Sequence, residues 1–260
     1  MAGIAMNKLV SVIIPAFNEE LVIKNTLISL REQNYQPLEV IVVVDSHSKD
    51  NTFQVAKRHA DKVLHISKPG ASAARNFGAN VAQGEYLMFL DADTKVSDNL
   101  ISNGVEFLNK GYAAGFARVI YETESAKVKS IETIQNLYLS QRKPFYVQCF
   151  YTSKEIFQKA GGWDEKIRLG EEVDLLRRIS KLGELKYDPD SSVRTSPRRF
   201  VKNKDLFYAV FGASLALTGI KNLPYPPVRE IKQNQVGSGF LDKLTGSKMF
   251  KRNDKVRSLL

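Results

Sequence analysis

Four short apolar runs recur in the first ninety residues: Leu9–Ile14 (LVSVII), Leu38–Val44 (LEVIVVV), Val63–Ile66 (VLHI) and Tyr86–Leu90 (YLMFL). Each is long enough for a buried strand, too short for a stable helix and largely β-branched or aromatic. The segments between them carry helical signals: Leu21, Val22, Leu27 and Leu30 within Glu19–Glu32, a start at Asp50 and Thr52 running to about His59, and the small-residue stretch Ala71–Val81. Strands separated by helices form βαβ crossovers, so an α/β fold is expected, with a mostly parallel central sheet flanked by helices.

In such sheets ligands bind outside the carboxyl ends of the strands. Pro15-Ala16-Phe17-Asn18-Glu19, Asp45, and the pair Asp91 and Asp93 all fall at those ends. Residues i and i+2 of an extended chain face the same side, so Asp91 and Asp93 can converge on one point, although Asp also serves simply to start turns. No glycine-rich turn follows the first strand and no Gly-Lys-Ser/Thr loop occurs, which excludes a dinucleotide dehydrogenase and a P-loop enzyme. A phosphate beside two carboxylates then needs a divalent cation between them, and Mg2+ or Mn2+ suits oxygen ligands.

Beyond Ser97 the pattern loosens. Helices are expected at Asn99–Asn109, Ala126–Arg142, Ser153–Ala160 and Glu171–Leu182, and strands at Tyr112–Tyr121, Phe145–Tyr151, Leu185–Tyr187 and Val193–Thr195. The charge is uneven: from Arg194 onward 14 Lys and Arg face 4 Asp and Glu, leaving 24 of each before it. The chain therefore divides into a globular domain, residues 1–200, and a basic extension, residues 201–260. Within the extension Leu206–Ile220 (LFYAVFGASLALTGI) has no charge. It is short of the ~20 residues that span a bilayer, and basic residues flank it. A helix partly sunk in an anionic membrane interface is expected, with a buried helix or dimer contact as the alternative. Aromatics interleaved with basic residues are nearly absent there, so nucleic acid is not an expected partner. The single Cys149 allows no internal disulfide and no cysteine zinc site, and the N-terminus lacks a secretory leader. The expected location is cytoplasmic, peripheral on the inner face of the cell membrane.

In this order and spacing, SVIIPAFNEE, VVVDSHSKDNT, ASAARNFGA, FLDADT and GGWDEKIRLGEEVDLLRRI resemble the family 2 glycosyltransferases, over about residues 9–200. The resemblance implies the GT-A fold, a Rossmann-like sheet, and a nucleotide-diphosphate sugar lying across the strand ends. It implies that Pro15, Ala16, Phe17 and Glu19 contact the nucleoside and Asp45 the base. Arg75 would lie near the base or phosphates, Asp91 would touch ribose or metal, and Asp93 would ligate a Mn2+ or Mg2+ that bridges the diphosphate. Arg198 and Arg199, in Ser196-Pro197-Arg198-Arg199-Phe200, would clamp the diphosphate. Trp163 would stack on a sugar or acceptor ring, with core packing as the alternative. The acceptor would be a saccharide or a lipid-linked phosphate.

Family members present Glu-Asp at the head of a helix, the Asp being the base; here the pair reads Glu171-Glu172. At about 100° per residue, Leu175, Leu176, Ile179 and Leu182 fall within about 80° of Glu172, and Asp174 falls about 160° away. Glu172 is therefore the expected base, kept ionised by the helix N-terminus, and Asp174 is expected on the surface. Two other readings remain: a nucleotide-sugar-binding protein with degenerate catalysis, and a metal-dependent nucleotidyltransferase, which normally has a Gly- and Lys-rich loop where PAFNEE stands.

Overall fold

The computed structural model describes residues 7–143, 146–167 and 170–199, all within the first of the two units into which the chain divides, Met1–Asn222. The extension 201–260, with Leu206–Ile220, lies outside the described residues. The four apolar runs form strands β1 (Val10–Ala16), β2 (Leu38–Asp45), β3 (Lys62–Ile66) and β4 (Tyr86–Leu90), adjacent in the order β3-β2-β1-β4 and all parallel. Their crossovers are the helices α1 (Ile23–Arg31), α2 (Thr52–Lys57) and α3 (Ala71–Val81). β2 is buried along almost its whole length, as a two-sided parallel strand must be.

The second half contains β5 (Thr94–Val96), α4 (Leu100–Asn109), β6 (Ala114–Tyr121), α5 (Ala126–Ser140), β7 (Cys149–Ser153), α6 (Lys154–Lys159), α7 (Glu171–Ile179) and β8 (Leu185–Thr195). It extends the sheet in the order β4-β7-β6-β8-β5, with β7 antiparallel to both β4 and β6, and β5 antiparallel to β8. The sheet is mixed rather than mostly parallel, because a buried apolar run reads the same whichever way its neighbours point. β7 starts at Cys149, not at 145: Tyr146 has φ +52°, which no strand accommodates. The two strands expected near the end are one, β8, whose pairing with β6 slips between Ala117 and Arg118.

α3 lies close against the sheet because its small residues let it. A Cβ at Gly78 would sit 2.5 Å from Ile13 Cγ2 and 3.2 Å from Val43 Cγ2. This close approach sets the height at which Arg75, one turn earlier, reaches the strand ends.

The opposite ends of β1, β2 and β4 are tied by Glu39. Its carboxylate accepts Ser11 Oγ at 2.5 Å, Lys62 Nζ at 2.6 Å and the Gln83 backbone N–H at 2.9 Å, while Ser11 Oγ accepts Gly84 N–H at 2.9 Å. Burial alone would raise the Glu39 pKa, but Gln83 N–H, Lys62 and Ser11 outweigh it and hold the group below its ordinary value. Glu39→Ala should cost about 2–4 kcal/mol in a denaturant titration, because it leaves buried donors unmatched. The depressed folded pKa means this stability is present above about pH 4.5 and fades as pH falls through the folded value, so wild type and Glu39→Ala should converge in acid.

Candidate active site

From β1 the chain goes to β2 and β3 on one side and returns to β4 on the other, so the crevice between β1 and β4 is the topological switch point. Pro15 and Ala16 end β1, Asp45 ends β2 and Asp91 follows β4. The loops after β1 and β2 are laced together. Glu19 N–H donates to Thr52 Oγ1 at 2.7 Å, Glu20 N–H to Asp50 Oδ2 at 3.1 Å, Asn51 N–H to Glu20 Oε2 at 2.8 Å and Lys49 N–H to Asn18 Oδ1 at 2.8 Å. Asn18 takes φ +54°, a conformation Asn tolerates better than most residues. Asp50 is held below its ordinary pKa: burial acts upward, and hydrogen bonds from Thr52 and Glu20 N–H outweigh it. Phe17 is 40% exposed at the tip of this preformed rim.

Asp45 is buried, and its Oδ1 is bound by His47, through the backbone N–H at 2.9 Å and ring Nδ1 at 2.7 Å. The expected turn after Asp45 is present as well, with Ser48 N–H on the Asp45 carbonyl at 2.9 Å. His47 is a site residue that the sequence did not single out.

Arg75 joins two segments 80 residues and more apart. Its Nη2 donates to Asp91 Oδ1 at 2.8 Å, its Nη1 lies 3.3 Å from Glu171 Oε1, and its guanidinium lies 4.5 Å above the centre of the Trp163 ring. The side chain is about 10% exposed, so its orientation is fixed by two carboxylates and an aromatic face. Asp91 is thereby committed to Arg75. Trp163 does not stand free for a sugar to stack on: it is 4% exposed, edge-on to Phe89 at 5.4 Å and tilted against Phe150 at 5.5 Å. Its ring belongs to the core, and one face carries Arg75.

α7 starts after Gly170, whose φ of +76° suits glycine and turns the chain into the helix. Glu171 and Glu172 then occupy its first turn, and Leu175, Leu176 and Ile179 are fully buried. The Glu172 carboxyl is pushed up to about 8, by burial first and then by the charges of Glu171 and Asp91; its own backbone N–H and Arg75 only partly offset them. Desolvation thus opposes the helix N-terminus, which was expected to keep Glu172 ionised. Asp174 is also not on the surface. It is 8% exposed and accepts Arg178 Nε at 2.8 Å, while Arg178 also donates to the Ala160 carbonyl. The loop around 160–165 also packs against this face of α7, through Arg178 and the Ala160 carbonyl, a second burial that a helical wheel with one core cannot show. Leu182, expected inward, is 46% exposed beyond the helix end.

The remaining group is Asp93. Its Oδ2 lies 3.0 Å from Arg198 Nε, and Arg198 Nη2 also pairs with Glu19; Arg198 sits with Arg199 in the single turn Pro197–Arg199. The structure thus brings Glu19, Asp93 and Arg198 together, and separately Arg75, Asp91, Glu171 and Glu172. No group of three His, Cys, Asp or Glu among the described residues could hold a metal ion by itself. Asp93 nevertheless fits one ligand of a hard cation: its carboxylate is 7% exposed and already faces a positive charge. Mg2+ commonly takes one or two carboxylates and completes its shell with substrate phosphates and water.

Residues 11–161 match the family described as Glycosyl transferase family 2, more than half of the chain. The chain belongs to glycosyl transferase family 2. It is 30% identical over 120 residues to the GalNAc(5)-diNAcBac-PP-undecaprenol beta-1,3-glucosyltransferase of Campylobacter jejuni, covering 44% of this chain and 39% of that protein. It is 33% identical over 199 residues to a Bacillus subtilis protein named probable glycosyltransferase YdaM, covering 67% and 47%. These alignments span less than half the length of either relative. Among solved structures, the mannosyltransferase PcManGT of Pyrobaculum calidifontis, in complex with GDP-Man and Mn2+, aligns with TM-score 0.67 at 20% identity over 86% of this chain and 67% of that one. S. aureus TarS 1-349 with UDP-GlcNAc aligns with TM-score 0.60 at 16% identity over 73% and 58%. At these identities the two structures establish the GT-A type of fold of the family 2 domain.

Proposed function

We propose that this family 2 domain is an inverting glycosyltransferase that moves a sugar from a nucleotide-diphosphate sugar to an acceptor hydroxyl or a lipid-linked phosphate. The observation that carries the reading is the convergence of Arg75, Asp91 and the Glu171-Glu172 helix head on the switch point beside a preformed nucleoside rim. The nucleoside lies across the ends of β1 and β2, over Pro15, Ala16 and Phe17, with Asp45 on the base. Arg75 and Asp91 orient the ribose and diphosphate, and Arg198 turns from Asp93 toward the diphosphate, where Arg199 follows. Asp93 would be the protein's ligand to a divalent cation, which would supply positive charge against the leaving nucleoside diphosphate. Glu172 takes the acceptor proton as the acceptor oxygen attacks the anomeric carbon from the face opposite the breaking bond. A carboxylate with a pKa near 8 is a stronger base than an ordinary one, which suits that task.

Two acceptor classes separate on this point. A hydroxyl needs Glu172 to remove its proton; a phosphate arrives ionised and does not. A PP-undecaprenol substrate appears in the name of the Campylobacter relative, and a lipid-linked acceptor accords with the basic extension and the uncharged run Leu206–Ile220. No helix among the described residues is long and apolar enough to cross a membrane. We place the protein at the cytoplasmic membrane face, held peripherally by that extension. Flotation with anionic liposomes should be lost when 201–260 is removed.

A second reading, a nucleotide-sugar-binding protein without turnover, rests on Glu172 standing where the family has Asp. A thermal-shift panel of UDP- and GDP-sugars, with and without Mn2+, tests what both readings share. A donor at 100 times its Kd adds about 2.7 kcal/mol, which raises Tm by about 5–10 °C. A panel in which no nucleoside diphosphate moves Tm overturns both.

A further inference from the structure

The ladder between β4 and β7 ends beside Asp91: Leu90 pairs with Cys149, and the Asp91 N–H then donates to the Gln148 carbonyl at 3.0 Å. The Gln148 side chain is held in turn. Tyr121 Oη donates to Gln135 Oε1 at 2.7 Å, Gln135 Nε2 to Gln148 Oε1 at 3.0 Å and Gln148 Nε2 to Tyr121 Oη at 3.2 Å, a closed cycle in which each group donates to the next. All three side chains are buried, and Gln135 Nε2 also donates to the Tyr146 carbonyl.

The cycle lies where the sheet divides. Among the described residues β6 and β7 pair only at Ala114 and Gly115. Farther along β6, α5 takes over: the Asn136 amide bonds the Val119 N–H at 2.9 Å and the Val119 carbonyl at 2.8 Å, and Glu132 Oε2 accepts the Tyr121 N–H at 2.6 Å. Those contacts already fasten α5 to the strand. Apolar side chains of similar volume at positions 121, 135 and 148 would fill the same space and remove the donors and acceptors of all three together, a change that is nearly neutral for stability. What the cycle adds is orientation, because a closed set of hydrogen bonds allows Gln148 one arrangement. That arrangement bears on the site through Asp91, whose Oδ1 receives Arg75 Nη2 at 2.8 Å.

We propose that Gln148 is a positioning residue of the donor site: anchored by Tyr121 and Gln135, it fixes the main chain of Asp91 through its carbonyl, and so the carboxylate that seats Arg75. The transferase reading enters only in calling that a donor site. Gln148 touches no substrate in this role; it acts through Asp91, and α5 acts through it.

Tyr121→Phe keeps the ring and opens the cycle at two of its three bonds. In amide hydrogen exchange on the full chain, the Asp91 amide should then exchange about tenfold faster, beyond any change at Val12 and Ile13 of β1, which report global stability. In titrations with UDP and with GDP in the presence of Mn2+, the same variant should weaken nucleotide binding about tenfold. In an Asp91→Ala background it should weaken it no further, within about twofold, because the effect runs through that carboxylate. Gln148→Met, of similar length, serves if Tyr121→Phe does not fold and should behave likewise. Asn136→Ala, which loosens α5 but leaves the cycle closed, is the control: it should lower Tm and leave both readouts as in wild type. The proposal is overturned if Asp91 exchange stays at its wild-type rate relative to β1, if the loss of nucleotide recurs in full in the Asp91→Ala background, or if Asn136→Ala weakens nucleotide as much as Tyr121→Phe. Nucleotide binding beside an unmoved Asp91 amide removes the positioning role and leaves the transferase. Should wild type bind neither nucleotide, the transferase reading falls, and the exchange measurement still decides whether Gln148 holds Asp91.

Discussion

Glu172→Gln should lower kcat for a hydroxyl acceptor by about 10²- to 10⁴-fold while donor affinity stays within a few fold of wild type, since that is what general-base catalysis contributes. The amide keeps the size of the side chain and removes only the basic oxygen, so a fall in kcat with an unchanged donor thermal shift isolates proton removal from binding. In wild type, kcat/KM should rise with pH through a limb near 8, the pKa that burial and Glu171 impose on the free enzyme, and the limb should be missing from the residual activity of Glu172→Gln. Stability supplies an independent readout. A carboxyl whose folded pKa is raised above its unfolded value of about 4.5 favours the folded state while protonated and loses that advantage as pH rises toward 8. The Tm of wild type should therefore fall between pH 5 and 8 relative to that of Glu172→Gln. Glu172→Asp, which restores the residue type of the family but retracts the carboxylate by a methylene, should keep the pH limb. Turnover of a hydroxyl acceptor that is unchanged in Glu172→Gln removes Glu172 from catalysis.

How far such a site can be read without coordinates depends on whether its signals are local. β1 to β4 were legible because each is a self-contained apolar run, and with them the placing of Pro15, Asp45 and Asp91 on one rim. The antiparallel insertion of β7 between β4 and β6 was not, because strand direction is set by where a long connection delivers the chain. β5 has three residues and no periodicity to detect. The buried run Leu175, Leu176 and Ile179 of α7 was legible from the wheel, and the same wheel misplaced Asp174, because the loop that packs on it comes from residues ten and more positions upstream. Trp163 looked like a sugar platform because an isolated tryptophan next to two glycines carries no record of what packs on it; Phe89, Phe150 and Arg75 arrive from three other elements. For the same reason Glu171 read as half of a motif, not as the second anchor of Arg75.

Asp93→Ala should weaken Mn2+-dependent UDP binding by about 10²-fold or more, as expected when a site loses its protein carboxylate and several kcal/mol of charge stabilisation with it. Asp91→Ala should weaken it less and should instead lower Tm, because Asp91 spends its carboxylate on Arg75, whose buried guanidinium would be left with Glu171 alone. The two acids that looked equivalent in sequence thus divide into a cation ligand and an arginine anchor. The reverse order of metal loss would exchange those roles. Arg198 sharpens the comparison, since its guanidinium lies 3.0 Å from Asp93 Oδ2 in the ligand-free protein and must leave that carboxylate before a metal ion can take it. The pair is partly exposed and so worth about 1 kcal/mol at most. Arg198→Gln should then tighten Mn2+ alone by up to about fivefold, measured by electron paramagnetic resonance without nucleotide, while weakening UDP through loss of the diphosphate contact. Opposite signs for metal and nucleotide in one variant are the signature of an arginine that trades a carboxylate for a diphosphate; equal signs would mean that Arg198 serves only one of them.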